Sequence, residues 1–263
     1  MLKDFTKEKF DIIIQAGQSN AEGNGMGEVE KPYKPNDDVW FMCGPLDKHE
    51  FYMYPAHEGV RENEILSNFI FKFAENYVAD ERLKDGRKLL ILCTAVGGTG
   101  FIDGQWKMTD CYYLRMMDMI RTALALNPEN RLVGLIWHQG ESDSLFKATV
   151  DVHYNHLMTL LNSVRDEFKV PEIPFVAGDF VYDWRDKHAE VCAPVLEAIR
   201  KVCADYPYGE FVESDGLTSN MQQLNRKTPC SGQMIIDDIH FSRKALYEFG
   251  DRYYKAYTSI LSK

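Results

Sequence analysis

Short runs of unbroken apolar residues, separated by amphipathic stretches long enough to be helices, constrain this chain more than any other feature of its sequence. Leu89-Leu90-Ile91-Leu92 is such a run. A strand with one wet face alternates apolar and polar residues, whereas a strand covered on both faces reads as continuous hydrophobicity. Strands are therefore expected over Phe10–Ala16, Val39–Cys43, Lys88–Val96, Arg131–His138, Pro174–Phe180 and Glu210–Glu213. Helical periodicity fills the intervals at Ile65–Val78, Tyr113–Leu126, Val152–Phe168, Ala189–Tyr206 and Arg243–Leu261. In the first of these, Leu66, Phe69, Ile70 and Phe73 share one face; the second stops before Pro128, as helices do. Such alternation implies an α/β fold of three layers, a doubly wound and mostly parallel sheet with helices on both sides. No repeat, low-complexity tract or linker divides residues 1–263, so one domain is expected.

Doubly wound sheets bind their ligands at the carboxyl ends of the strands, and the first strand is followed there by Gly17-Gln18-Ser19-Asn20-Ala21-Glu22-Gly23. Glycines let backbone N–H groups converge on an oxyanion, and a serine at a strand-to-helix junction sits near the positive end of a helix dipole. Helix capping by Ser19 or Asn20 competes with that reading. A phosphate loop does not fit, because the GK[ST] ending and a full GxGxxG are both missing. Nor is this the nucleophile elbow GxSxG, since position 21 is Ala.

Near the other end the chain reads Asp237-Asp238-Ile239-His240-Phe241-Ser242, ahead of an amphipathic helix. A serine hydroxyl is a weak nucleophile until a base takes its proton, and that base needs a carboxylate to fix its tautomer. An Asp three residues before a His supplies both from one turn. An isolated DxxH would be read as a surface turn; paired with Ser19 in this fold it is read as catalytic.

Four blocks in order, GQSNAEG at 17–23, VGGTG at 96–100, WHQGESD at 137–143 and DDIHFS at 237–242, resemble the SGNH/GDSL hydrolase superfamily. Within it the pattern is most similar to the branch of sialate O-acetylesterases and acetylxylan esterases, carbohydrate esterase family six. The resemblance spans nearly the whole chain and implies a flavodoxin-like SGNH fold. It makes Ser19 the nucleophile, His240 the base and Asp237 its orienting partner. It implies an oxyanion hole of the Ser19 N–H, the Gly98 N–H and the Gln139 side-chain amide, with Gly97 competing for the second place. The wider superfamily has Asn where this chain has Gln139. The implied reaction is removal of O-acetyl groups from a small acetylated carbohydrate, a xylo-oligosaccharide or a sialic acid, without metal or cofactor. A thioesterase or lysophospholipase of the same superfamily and a non-catalytic carbohydrate-binding relative stand as alternatives.

Other residues are weighed against duller roles. Gln18 and Glu141 are expected to support the site, Glu141 by holding its loop, with a second acid for His240 as the rival role. Asp143 is read the same way. His138 lacks an acid at the right spacing to be the base. His153 and His156 lie three apart on one helical face, where packing outweighs metal binding. Trp106, Tyr112 and Tyr113 are aromatic candidates for the substrate rim. Arg61 and Arg226 are the cations placed to meet a substrate carboxylate.

A net charge of -10 argues against nucleic acid and anionic membrane as partners, while leaving a local Arg free to bind a small anion. The six cysteines, at 43, 93, 111, 192, 203 and 230, form no CxxC pair and read as free thiols. The charged start MLKDFTKEKF has no apolar signal-peptide core, and no segment is apolar enough to span a bilayer, so a cytoplasmic location is expected. The sequence leaves the oligomeric state open.

Overall fold

A computed structural model describes residues 4–61, 63–223 and 237–263. In chain order the elements are β1 (Phe10–Gly17), α1 (Ser19–Glu22), β2 (Val39–Cys43), β3 (Tyr52–Pro55), β4 (Gly59–Arg61), β5 (Glu64–Leu66), α2 (Ile70–Ala79), β6 (Lys88–Cys93), α3 (Cys111–Ala125), β7 (Arg131–His138) and α4 (Glu141–Leu145). There follow α5 (Val150–Phe168), β8 (Phe175–Gly178), α6 (Tyr182–Lys187), α7 (Ala189–Asp205), β9 (Gly209–Val212) and α8 (Arg243–Leu261).

Seven of the strands form one sheet in the order β3-β2-β6-β1-β7-β8-β9. All neighbours run parallel except β3, which pairs antiparallel with β2 at the edge. β1 is buried along its full length, its Ile12-Ile13-Ile14 run covered on both faces and its polar Asp11 and Gln15 hydrogen-bonded. Adjacent residues of β7 show that both faces are covered, because successive side chains point to opposite sides. Trp137 packs on Phe101 and Trp106, with Phe101 against His153 of α5. His138, the next residue, packs on Phe69 and on Phe249 and Tyr253 of α8. The doubly wound α/β expectation holds.

The differences lie at element edges. The helix expected from Ile65 begins at Ile70, because Glu64–Leu66 pairs with Gly59–Arg61 and Ser67 exchanges backbone hydrogen bonds with Gly25. Asn68 Oδ1 then accepts from the Ile70 N–H at 3.0 Å and starts the helix. Strand β6 stops at Cys93 rather than Val96, where Thr94 turns both its N–H and its hydroxyl onto the Gln15 carbonyl. Strands β3, β4 and β5 and the short helices α1, α4 and α6 carry too few residues for periodicity to reveal them.

The chain order places β2 and β6 on one side of β1 and β7 to β9 on the other. The crevice at the carboxyl ends of β1 and β7 is thus the switch point of a doubly wound sheet. The two strands are close enough there that a Cβ on Gly17 would lie 2.0 Å from the His138 carbonyl oxygen. Only glycine fits, and its φ of +131° is one that other residues rarely adopt.

Candidate active site

Gly17 ends β1 and turns the chain so that Ser19 opens α1, beside the end of β7. The serine is mostly buried and faces an open hollow of about 510 Å³ shared with Asn24, Arg61, Gly98, Leu145 and His240. His240 comes from the opposite end of the sequence, in the turn before α8, whose first N–H groups are capped by Ser242. Its Nε2 lies 2.9 Å from Ser19 Oγ, and its Nδ1 lies 2.7 Å from Asp237 Oδ1. A carboxylate cannot donate, so Nδ1 carries the proton and Nε2 is left as the acceptor facing the serine hydroxyl.

Asp237 is held by more than the imidazole. Its Oδ1 also accepts from the His240 backbone N–H at 3.3 Å, and its Oδ2 from Asn220 Nδ2 at 2.9 Å. Burial pushes this carboxyl up, but the bonds from His240 and Asn220 outweigh it and hold it below the ordinary aspartate value. It is therefore ionised at neutral pH. Asp238 turns the other way and accepts from Lys187 Nζ at 2.6 Å.

Of the expected oxyanion donors, two are free to act. Among the described residues, no acceptor is within hydrogen-bond reach of the Ser19 or Gly98 N–H. Gly98 has φ +70° and borders the hollow. Gly97, the competitor, already gives its N–H to Glu22 Oε2 at 2.8 Å. Gln139 departs from expectation. It is fully buried, and its Nε2 donates to the Thr99 carbonyl at 3.2 Å and to Asp143 Oδ2 at 3.1 Å. Both amide protons are engaged away from the hollow, because two acceptors face that side of the side chain.

The remaining candidates separate by burial. Glu141 accepts from Asn20 Nδ2 at 2.9 Å and lies 3.7 Å from His138 Nε2. Burial pushes its carboxyl up, and His138 and Asn20 more than reverse this, so it stays charged. Gln18 Oε1 accepts from the Ser142 N–H at 3.2 Å, joining the serine loop to α4. Asp143 accepts from the Phe101 and Ile102 N–H groups and fixes the loop after β6. Trp106 is fully buried with its indole N–H on Thr99 Oγ1 at 2.8 Å, so it belongs to the core and not to the rim. Tyr113 is buried too. Arg61 does reach the hollow, exposed, with Nη2 3.3 Å from Asn24 Oδ1. Arg226 lies outside the described residues. Among the described residues no three His, Cys, Asp or Glu side chains gather as a metal site, and no helix is long and apolar enough to cross a membrane.

Sequence reasoning passed over three polar residues that build the site. In the sequence Asn20 reads only as a cap, although it sits next to Ser19. Glu22 gives the Gly97 N–H its acceptor, and Asn220 orients Asp237 while its own N–H holds the His240 carbonyl at 2.9 Å. Asn20 and Glu22 could have been suspected from their place in the serine block; Asn220, in a polar loop, carries no such signal.

A family model described as carbohydrate esterase, sialic acid-specific acetylesterase, matches residues 9–259. A probable 9-O-acetyl-N-acetylneuraminic acid deacetylase of Escherichia coli (strain K12) is 24% identical over 127 residues, 40% of this chain and 39% of the relative. A probable carbohydrate esterase of Arabidopsis thaliana is 24% identical over 179 residues, 63% of this chain and 66% of the relative. The matched stretches thus span less than two thirds of either relative's length. Among solved structures, that of NanS superposes with a TM-score of 0.77 at 17% identity, covering 97% of this chain and 98% of that one.

Proposed function

The chain belongs to the carbohydrate esterase family of sialic acid-specific acetylesterases, and we propose that it removes O-acetyl groups from a sialic acid with Ser19 as nucleophile. The observation that carries this reading is the relay from Ser19 Oγ through His240 to Asp237, at 2.9 and 2.7 Å. His240 Nε2 takes the hydroxyl proton as Ser19 Oγ attacks the acetyl carbonyl. The Ser19 and Gly98 N–H groups receive the oxyanion that forms. Collapse of the tetrahedral adduct breaks the bond between the acetyl carbon and the sugar oxygen, and the imidazolium gives its proton to that leaving oxygen. Water, deprotonated by His240, then attacks the acetyl-serine, and acetate leaves as the imidazolium returns a proton to Ser19 Oγ. Asp237 stays ionised throughout and stabilises the imidazolium.

A sialic acid is favoured over a xylo-oligosaccharide because the matching family and the bacterial relative are both described by it. The test is acetate release from 9-O-acetyl-N-acetylneuraminic acid and from acetylated xylo-oligosaccharides, with and without Ser19→Ala. Wild type should release acetate preferentially from the acidic sugar, and Ser19→Ala should lose at least about 10³-fold in kcat while melting normally. Turnover that survives Ser19→Ala, or a preference for long-chain p-nitrophenyl esters over acetate, would sink the reading.

A further inference from the structure

Beside the hollow of Ser19 lies a second cavity of about 400 Å³, and Glu22 lines both. Its wall includes Cys43, Tyr54, His57, Cys93 and Arg115. Arg115, on α3, is only 3% exposed. It donates to backbone carbonyls, Nε to Pro45 at 3.2 Å and Nη2 to Gly44 at 2.5 Å. Among the described residues no carboxylate pairs with it. Burial lowers its pKa below the ordinary arginine value, and the groups that pull it back up, Cys43, Cys93, Tyr112 and Tyr52, are thiols and phenols rather than carboxylates. A buried guanidinium is costly without a counter-anion. By contrast the buried or nearly buried carboxylates Asp11, Glu58 and Asp179 each have an arginine, and Glu141 and Asp143 each have a histidine. Arg115 is a buried cation on the wall of a cavity that adjoins the nucleophile.

We propose that this cavity is the subsite for the carboxylate of an acidic sugar ester, with Arg115 as its ion-pair partner. This rests on the deacetylase reading above and names the residue that would select an acidic sugar over a neutral one. A guanidinium preset by two backbone bonds loses little freedom on binding a carboxylate, and its burial keeps water from screening the pair. Arg61, a second cation near the site among the described residues, is exposed and hydrogen-bonded to Asn24, so water screens its charge.

The experiment compares acetate release from 9-O-acetyl-N-acetylneuraminic acid and from its methyl ester, which keeps the acetyl group and removes the charge. Wild type should favour the free acid by about tenfold or more in kcat/KM, chiefly through KM. Arg115→Met should bring that ratio close to one, Arg115→Lys should keep part of it, and Arg61→Ala should leave it standing. A wild-type ratio near one, a ratio that survives Arg115→Met, or a ratio that collapses in Arg61→Ala would each overturn the assignment. If Arg115→Met does not fold, wild-type inhibition decides: N-acetylneuraminate should inhibit p-nitrophenyl acetate turnover about tenfold more tightly than its methyl ester, and equal inhibition overturns the subsite. If neither sugar releases acetate while p-nitrophenyl acetate is turned over, the deacetylase reading fails, and the inhibition comparison still decides the subsite.

Discussion

Asn20, the residue after Ser19, accepts at Oδ1 from the backbone N–H of Phe241, the residue after His240, at 3.1 Å. Its Nδ2 donates to the Ile239 carbonyl at 3.0 Å and to Glu141 at 2.9 Å. One buried amide therefore holds the His240 turn on both sides and ties it to the end of β7. The two halves of the relay are 221 residues apart in sequence, and this side chain sets their separation.

Removing that clamp should misplace His240 without touching the reacting atoms. Asn20→Ala should lower kcat for p-nitrophenyl acetate by about 10²-fold with a smaller change in KM. It also leaves Glu141 and two backbone groups short of partners, a cost of about 1–3 kcal/mol. Asn20→Asp should be worse on both counts, because a carboxylate would face Glu141 and the Ile239 carbonyl. Steady-state kinetics beside thermal melting check this; an Asn20→Ala enzyme with normal kcat would show that the turn holds itself.

The relay's carboxylate gives a graded series. Asp237→Asn keeps the shape but loses the charge that fixes the Nδ1 proton and stabilises the imidazolium, so kcat should fall by roughly 10²–10⁴-fold. Asn220→Ala removes one bond to Asp237 Oδ2 and should cost about tenfold or less, through misorientation rather than charge loss. Equal effects from the two changes would mean that Asp237 acts only as a spacer. The measurement is single-turnover acetyl-enzyme formation, which isolates the first proton transfer.

How far the sequence revealed this site follows from the range of its signals. β1, β6 and β7 were legible because strands buried on both faces carry apolar runs such as Ile12-Ile13-Ile14 and Leu89-Leu90-Ile91-Leu92. Ser19, Gly98 and His240 fell at strand ends or before a helix, where the fold rule directs attention. Gln139 fell there too, yet its side chain turns inward. Position along the chain fixes where a Cα lies, while the rotamer depends on acceptors such as Thr99 and Asp143 that only the folded loop assembles. Trp106 failed likewise: an aromatic after a site loop is legible, but its burial against Trp137 is not. Nothing in the sequence singles out Arg115, since the Pro45 carbonyl it donates to lies 70 residues away.

Stability and catalysis separate at the two ends of β1. Asp11, fully buried near the amino end, accepts from Arg87 Nε at 2.5 Å, Arg131 Nε at 2.7 Å and Tyr77 Oη at 2.7 Å. Burial pushes its carboxyl up, and Arg131, Tyr77 and Arg87 together bring it below the ordinary value. A folded-state value below the unfolded one stabilises the protein above the ordinary carboxylate range. That contribution is lost as pH falls through the folded value. Asp11→Asn should therefore cost about 3 kcal/mol at neutral pH, the low end for a broken buried pair because Arg131 is partly exposed. The difference in Tm between wild type and variant should narrow as the solution is acidified, with kcat of the folded variant near wild type. A constant gap down to pH 3 would show that shape, and not charge, is what Asn fails to supply.

Glu22 offers the sharpest test of the oxyanion loop. Its Oε2 takes the Gly97 N–H at 2.8 Å, which leaves the next N–H, that of Gly98, as the free donor beside Ser19. In the proposed mechanism the carboxylate meets no reacting atom and instead positions the Gly98 peptide that receives the oxyanion. Glu22→Ala should free Gly97 to compete for the oxyanion and loosen the loop, lowering kcat for p-nitrophenyl acetate by about tenfold. Glu22→Gln keeps a carbonyl acceptor at the same reach and should restore most of that loss. A negative charge this close would also oppose the developing oxyanion, so the glutamine variant separates the two effects. Activity at or above wild type in Glu22→Gln, with a deficit only in Glu22→Ala, marks the hydrogen bond as the useful part. Equal deficits in both would assign the role to the charge, and no deficit in either would remove Glu22 from the site.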